Sequence, residues 1–231
     1  MNFPNDQGTW DAVRAGLDER GFHILPALLE QDECETFSAA YDRDLFRSAI
    51  VMARHGYGRG EYKYYRYPLP PLVAELRPKL YERLVPIANE WQQSLGSAIR
   101  FPDRHEDFLE RCRSAGQARP TPLILRYGSG DYNCLHQDVY GETLFPLQAA
   151  VLLSDTAKFS GGEFILTEQR PRRQSRAQVV PLTQGDAVIF PVRDRPMRGS
   201  RGFYRAQHRH GVSEIRSGQR HTLGIIFHDA A

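Results

Sequence analysis

The pattern of the chain changes at Thr121. From there onward, short apolar runs rich in β-branched residues alternate with Gly, Pro and charged clusters: TPLILRY, DYNCLHQDV, FPLQAAVLL, GGEFILTEQ, AQVVPL, DAVIFPV, the stretch leading into HRHGVSEI, and HTLGIIFHD. Runs of that length between breakers read as strands, and about eight of them match a compact double-sheet roll. The half before Thr121 has helical periodicity instead. In TWDAVRAGLDERG, Trp10, Val13 and Leu17 share a face, with Thr9 as the expected N-cap and Gly21 as the stop. EQDECETFSAAYDRDLF, PLVAELRPKLYERLVPIANEWQQSLG and FPDRHEDFLERCRSAG continue the pattern, with Pro78 and Pro86 expected to break or kink the longest segment. Helices first and strands second predict an α+β fold in one domain. Residues 1–118 are expected to form a mainly helical scaffold with a Tyr-rich loop at 60–71, packed on a β core at 119–231.

Composition excludes several classes. No apolar run approaches the roughly 18 residues of a membrane span, and MNFPNDQGTWDAV lacks the basic-then-apolar layout of a signal peptide, so a cytoplasmic protein without a membrane partner is expected. Cys34, Cys112 and Cys134 are odd in number and lack CxxC spacing, which argues against a disulfide framework or a zinc knuckle. The net charge of +2 conceals an asymmetry: between Arg170 and Arg220 there are 12 Arg against three acids. That excess suits an anionic polymer such as nucleic acid. It is equally what an Arg-biased chain with solvated loops would show, since Arg outnumber Lys by 27 to 3.

One short motif carries chemistry. Strand alternation would place Tyr132, Cys134, His136 and Asp138 on one face, bringing an imidazole and a carboxylate to a single ion. On its own, an HxD triplet is more often structural than metal-binding. A third ligand would come from another strand, where His208 and His210 are two apart and pleat parity cannot separate them. Two imidazoles and one carboxylate on one side of a metal leave open positions opposite, an arrangement that suits Fe(II). Ten residues after His210 stands Arg220, followed at a one-residue gap by Thr222. A dicarboxylic co-substrate chelating the metal at one end needs a cation and a hydroxyl at its other end, and that spacing favours His210 over His208. Tyr127, on the preceding strand, would reach the same co-substrate.

With these residues in place, RYGSGDYNCLHQD, GGEF, QGDAVIF and HGVSEIRSGQRHTLGIIF resemble the Fe(II)- and 2-oxoglutarate-dependent dioxygenase superfamily over about residues 120 to 229. The Gly161-Gly162-Glu163 and Gly185-Asp186 turns resemble its prolyl-hydroxylase-like members. The resemblance implies a double-stranded β-helix, or jelly roll, with Fe(II), 2-oxoglutarate and O2 as reagents. It implies His136, Asp138 and His210 as iron ligands, Arg220 and Thr222 as holders of the distal carboxylate of 2-oxoglutarate, and Tyr127 in support. A closer likeness is to a bacterial group sharing LHQD, FPLQ, GGEF, LTEQRPR, QGDAVIF and RHTLGIIFHD. That group is described as oxygenases acting oxidatively on methylated, damaged DNA in the manner of AlkB-type repair enzymes. The chain departs from the AlkB pattern at Leu125, where that pattern has Asn. It departs again at Arg216 and Arg220, which are four apart rather than six.

Three functions are compatible with this reading: oxidative demethylation of alkylated nucleic acid, hydroxylation of a protein side chain or small metabolite, and a non-enzymatic jelly-roll binding module. For the first, the Arg-rich segments 170–176 and 193–209, in QRPRRQSR and RDRPMRGSRGFYR, are expected as loops that clamp phosphates. Tyr62, Tyr64, Tyr65 and Tyr67, interleaved with Lys63 and Arg66, would either stack on a base or form an edge strand over the barrel mouth. Asp155 and Glu168 are expected as ordinary loop residues, and His105, His221 and His228 as packing or surface residues.

Overall fold

In the computed structural model, which describes residues 1–231, two antiparallel sheets face each other and helices cover the outside of one of them. The helices are α1 (Gln7–Arg20), α2 (Gln31–Ala39), α3 (Pro71–Ser94) and α4 (His105–Ser114). The cap of α1 is Asp6, not Thr9: the Asp6 carboxylate accepts from the Thr9 N–H at 2.8 Å and from the Thr9 hydroxyl, which places Thr9 inside the first turn. Gly21 ends the helix at φ 81°, as expected. Neither Pro78 nor Pro86 interrupts α3. Both lie off its buried face, and the carbonyls they leave unpaired belong to Ala74 and Glu82, which are exposed to solvent. The buried row from Val73 to Trp91 keeps the helix in one piece.

The first half also holds four strands: β1 (His23–Leu25), β2 (Phe46–Val51), β3 (Gly58–Arg59) and β4 (Glu61–Tyr65). Within the Tyr-rich segment expected as a loop, Glu61–Tyr65 is therefore strand. It is not an edge either, because β2 pairs outside it. Tyr65 and Tyr64 are buried and unavailable for stacking on a base, and the Tyr67 hydroxyl donates to Asp229 at 2.9 Å. The second half contributes β5 (Leu123–Tyr127), β6 (Tyr132–His136), β7 (Leu147–Leu152), β8 (Phe159–Gly161), β9 (Phe164–Gln169), β10 (Arg176–Val180), β11 (Ala187–Pro191), β12 (Asp194–Gly199), β13 (Gly202–Val212), β14 (Ile215–Gly218) and β15 (Arg220–Ile226). The larger sheet runs β1-β11-β7-β15-β5-β4-β2. The facing sheet runs β10-β9-β13-β6-β3, with β12 paired to β13, while β14 and β8 pair separately. The segment 193–209, expected as a loop, is thus mostly the β12–β13 hairpin. No helix is long and apolar enough to cross a membrane.

Period-two alternation sorts the larger sheet into two buried faces. Leu147, Ala149 and Val151 of β7, Ala187 and Ile189 of β11, and Leu223 and Ile225 of β15 point out to the helices, in one cluster with Leu80, Leu84 and Trp91 of α3. The residues between them point inward. Ala150, Val188 and Phe190 meet Phe164, Leu166 and Val180 of the facing sheet, forming the interior of the roll. Tyr81 is central to the outer layer: its ring lies 4.7 Å from that of Phe145 and 5.4 Å from that of Phe108, and its hydroxyl donates to the Pro102 carbonyl at 2.8 Å. Truncation to Tyr81→Ala is expected to lower unfolding free energy by about 3–5 kcal/mol. Urea titration checks this, and a loss below about 1 kcal/mol would show that the helical layer is not packed as described.

Candidate active site

The inner faces of β6 and β13 build the centre of the roll. In the pairing of these strands His210 stands opposite His136, but the next pair is Val212 with Asn133, so β6 carries an extra residue there. This bulge overturns the simple alternation expected for the motif. Cys134 and Tyr132 are exposed, whereas Asn133 and His136 both line the interior. The strand ends at His136, and Asp138 follows in unpaired chain, at the centre of a tight turn in which the Val139 N–H donates to the Gln137 carbonyl at 3.1 Å. His136 Nδ1 lies 2.8 Å from the Cys134 carbonyl, which accepts a proton held at that nitrogen and leaves Nε2 free as a ligand. His136 Nε2 is 3.6 Å from Asp138 Oδ1, and His210 Nε2 is 3.3 Å from Asp138 Oδ2. The ligand atoms of all three residues lie within 4.8 Å of one another.

Asp138 is 7% exposed, and no Lys or Arg pairs with it. Burial pushes its carboxyl up, but the two imidazoles and a 2.7 Å hydrogen bond from the Tyr140 hydroxyl outweigh this and hold it below the usual carboxylate range. Burial lowers His210, with the His136 ring adding to the effect, so its imidazole is neutral and able to coordinate. Phe164 and Phe190 pack on the His210 ring and exclude water from that side. A buried, ionised carboxylate beside two imidazole nitrogens fits a divalent cation.

Across the cavity from this triad lies Arg220, 1% exposed. The β15–β5 register sets it opposite Tyr127. Its Nη1 donates to the Thr222 hydroxyl at 2.5 Å, its Nε is unpartnered, and no carboxylate pairs with it. Burial pushes the guanidinium down to about 10, so it keeps its charge near neutrality. The Tyr127 hydroxyl accepts from Asn133 Nδ2 at 3.3 Å, and burial raises this phenol, so its own proton remains available to a second acceptor. Gly162 makes room for the Arg220 stem. At φ 67°, a Cβ there would lie 2.9 Å from Arg220 Cδ and 2.3 Å from Ile215 Cδ1. An outer chamber walled by Tyr57, Tyr62, Val139 and Tyr140 shares Leu123, Leu125, Asn133, His136 and Asp138 with this cavity, and so opens directly onto the triad.

All six residues singled out in the sequence (Tyr127, His136, Asp138, His210, Arg220 and Thr222) line one cavity. His208 does not. It points inward like His210, but its Nε2 accepts from Arg195 Nε at 3.1 Å within a buried cluster around Glu168. Glu168, expected as a loop residue, is a buried member of β9 bonded by Arg195 and Arg170. Burial raises it, yet those bonds and His208 hold it below the usual range. His105, His221 and His228 are buried packing residues. The sequence reading missed Tyr140, although the same alternation carried two residues past Asp138 reaches it. It also missed Asn133 and Gln148, whose buried Nε2 has no partner.

Residues 60–230 match the family described as "Oxygenase, catalysing oxidative methylation of damaged DNA". The chain belongs to this oxygenase family. An uncharacterized protein of Mycobacterium tuberculosis is 50% identical over 165 residues, which cover 71% of each chain. The fold is that of an oxidoreductase of the 2OG-Fe(II) oxygenase family from Burkholderia pseudomallei, at TM-score 0.56 and 18% identity over 99% of this chain and 96% of that one. It is also that of a Pseudomonas putida prolyl-4-hydroxylase, at TM-score 0.54 and 14% identity over 93% and 96%. Family, fold and donor set together make this enzyme a 2-oxoglutarate-dependent Fe(II) dioxygenase, with Fe(II), 2-oxoglutarate and O2 as its reagents.

Replacement of Asp138 by Ala is expected to abolish Fe(II) binding in anaerobic titration. Tyr140→Phe is expected to weaken it about 10- to 100-fold through loss of the bond that orients the carboxylate. His208→Ala should retain iron and instead lower stability by about 1–3 kcal/mol. Loss of iron in the His208 variant with retention in His210→Ala would reverse the assignment.

Proposed function

We propose that this enzyme oxidatively demethylates alkylated nucleic acid, with His136, Asp138 and His210 holding iron and Tyr127, Arg220 and Thr222 holding 2-oxoglutarate. The observation that carries the site assignment is the unpaired Arg220 guanidinium facing the triad across one cavity. A buried cation without a counter-charge is matched by a carboxylate arriving with a ligand. Support for a nucleic-acid substrate comes from the family description and from the Arg-rich segments 170–176 and 193–209.

Iron, when bound, supplies the activation of O2 that converts 2-oxoglutarate to succinate and CO2 and leaves one oxygen atom for the substrate. The chain's own residues set where that happens. Arg220 and Thr222 fix the distal carboxylate, Tyr127 donates its free proton to the same molecule, and Tyr140 locks the rotation of Asp138. Phe164 and Phe190 keep the cavity dry behind His210, and the chamber of Tyr57, Tyr62 and Tyr140 receives the group to be oxidised. Insertion of oxygen into an N-methyl C–H bond gives N–CH2OH, which then breaks its C–N bond to release formaldehyde and the free N–H. Oxidation removes a methyl group, whereas adding one needs a methyl donor that this chemistry does not use. Removal is therefore the direction assigned.

With Fe(II), 2-oxoglutarate and O2, methylated single-stranded DNA is expected to yield formaldehyde and succinate in equal amounts above the substrate-free rate, and unmodified DNA neither. Succinate that ignores methylated DNA, together with a protein or metabolite product heavier by one oxygen, would replace demethylation with hydroxylation.

A further inference from the structure

Two turns far apart in sequence meet at the end of the smaller sheet. One joins β9 to β10 and carries Arg170, Arg172 and Arg173; the other joins β12 to β13 and carries Arg201 beside Phe203 and Tyr204. Together they line one cleft with no Asp or Glu in its wall. Nearby arginines have partners: Arg170 binds Glu168, and Arg193 and Arg205 share Asp194. Arg172, Arg173 and Arg201 have none. The first turn is held in shape, since the Gln169 side-chain amide donates to the carbonyls of Arg170 and Arg173 while the Ser175 hydroxyl donates to Gln169. Arg172 sits at φ 60°, a conformation a side chain rarely adopts. Phe203 is 51% exposed at the lip of the cleft.

We propose that this cleft binds the phosphates of a nucleic-acid strand at a second point, remote from the catalytic cavity, and so sets a minimum substrate length. The proposal rests on the nucleic-acid reading above. Three unpaired guanidinium groups on neighbouring turns repel one another, and a polyanion relieves that repulsion. Guanidinium forks match phosphate oxygens, and an exposed ring beside them offers a face on which a base can stack, a combination that favours a nucleic-acid strand over an acidic peptide. From Gly202 to His210, β13 extends about 25 Å at roughly 3.3 Å per residue. A stacked strand covers that in about seven nucleotides at roughly 3.4 Å each, so a mononucleotide in the cavity would not reach the cleft.

The test compares wild type with the variant combining Arg172→Gln, Arg173→Gln and Arg201→Gln. Fluorescence anisotropy measures binding of unmethylated single-stranded DNA of about 4 and about 16 nucleotides at several salt concentrations, and thermal unfolding checks that the variant is folded. The longer strand is expected to lose about tenfold or more in affinity, and its log–log salt slope is expected to shrink by about 2, roughly 0.7 per lost phosphate contact. The shorter strand is expected to bind both proteins alike. Equal binding of the longer strand by both would overturn the cleft, as would poly-glutamate displacing that strand at equal charge concentration. If the variant loses the longer strand while wild type releases no formaldehyde from methylated DNA, the cleft stands and the demethylation reading falls.

Discussion

Two opposite charges, Asp138 and Arg220, are buried in the same roll without pairing with each other or with any oppositely charged Lys, Arg, Asp or Glu. Each costs several kcal/mol of lost hydration unless a partner arrives, and the fold must carry that cost in the ligand-free state. Other buried charges are met within the chain: Arg77 pairs with Asp229 at 2.8 Å, Arg195 with Glu168 at 2.5 Å, and Asp186 accepts from the Ala27 and Thr183 N–H groups. A cation at the triad and a carboxylate at Arg220 would complete both pairs, so ligand binding and stability are linked through the same cavity.

The scaffold explains how the two charges stay in place. The helical layer buries the outer face of the larger sheet, and the register of β15 against β5 and β7 then fixes Arg220 opposite Tyr127 and Thr222 opposite Leu125 and Leu152. On the other side, β13 brings His210 against β6 and β9. Tyr140 adds a brace from the chain beyond β6. Its ring lies 6.1 Å from that of Tyr64, whose other neighbours are Tyr62 and the Arg47 guanidinium. The Tyr-rich strand, read in sequence either as a base-stacking segment or as an edge strand over the barrel mouth, therefore acts largely as the wall behind Tyr140 and Asp138.

Much of this was legible in the residues and some was not. The strand runs after Thr121 and the six residues that line one cavity were visible because residue type and spacing express them directly. The extra residue in β6 was not, because a bulge leaves the alternation of letters intact while changing which side chains face inward. Separating His208 from His210 needed Arg220, since both point inward and differ only in what stands across the sheet: Glu168 in one case and His136 in the other. The unbroken α3 and the short strands before residue 66 depend on tertiary packing that local propensity does not report. The basic stretch likewise resolves only in three dimensions. Arg195 is a buried structural residue, Arg220 belongs to the cavity, and Arg172, Arg173 and Arg201 remain unpaired at the surface.

If the triad and Arg220 form one site, a single dicarboxylate spans it. Anaerobic titration of the Fe(II)-loaded enzyme with 2-oxoglutarate, followed by the visible charge-transfer absorption of the chelated metal, tests it most directly. A saturable band is expected in the wild type, and in Arg220→Ala the same band only at much higher 2-oxoglutarate concentration. A band of unchanged affinity in Arg220→Ala would contradict it, because the cation across the cavity would then not be holding the far end of the molecule.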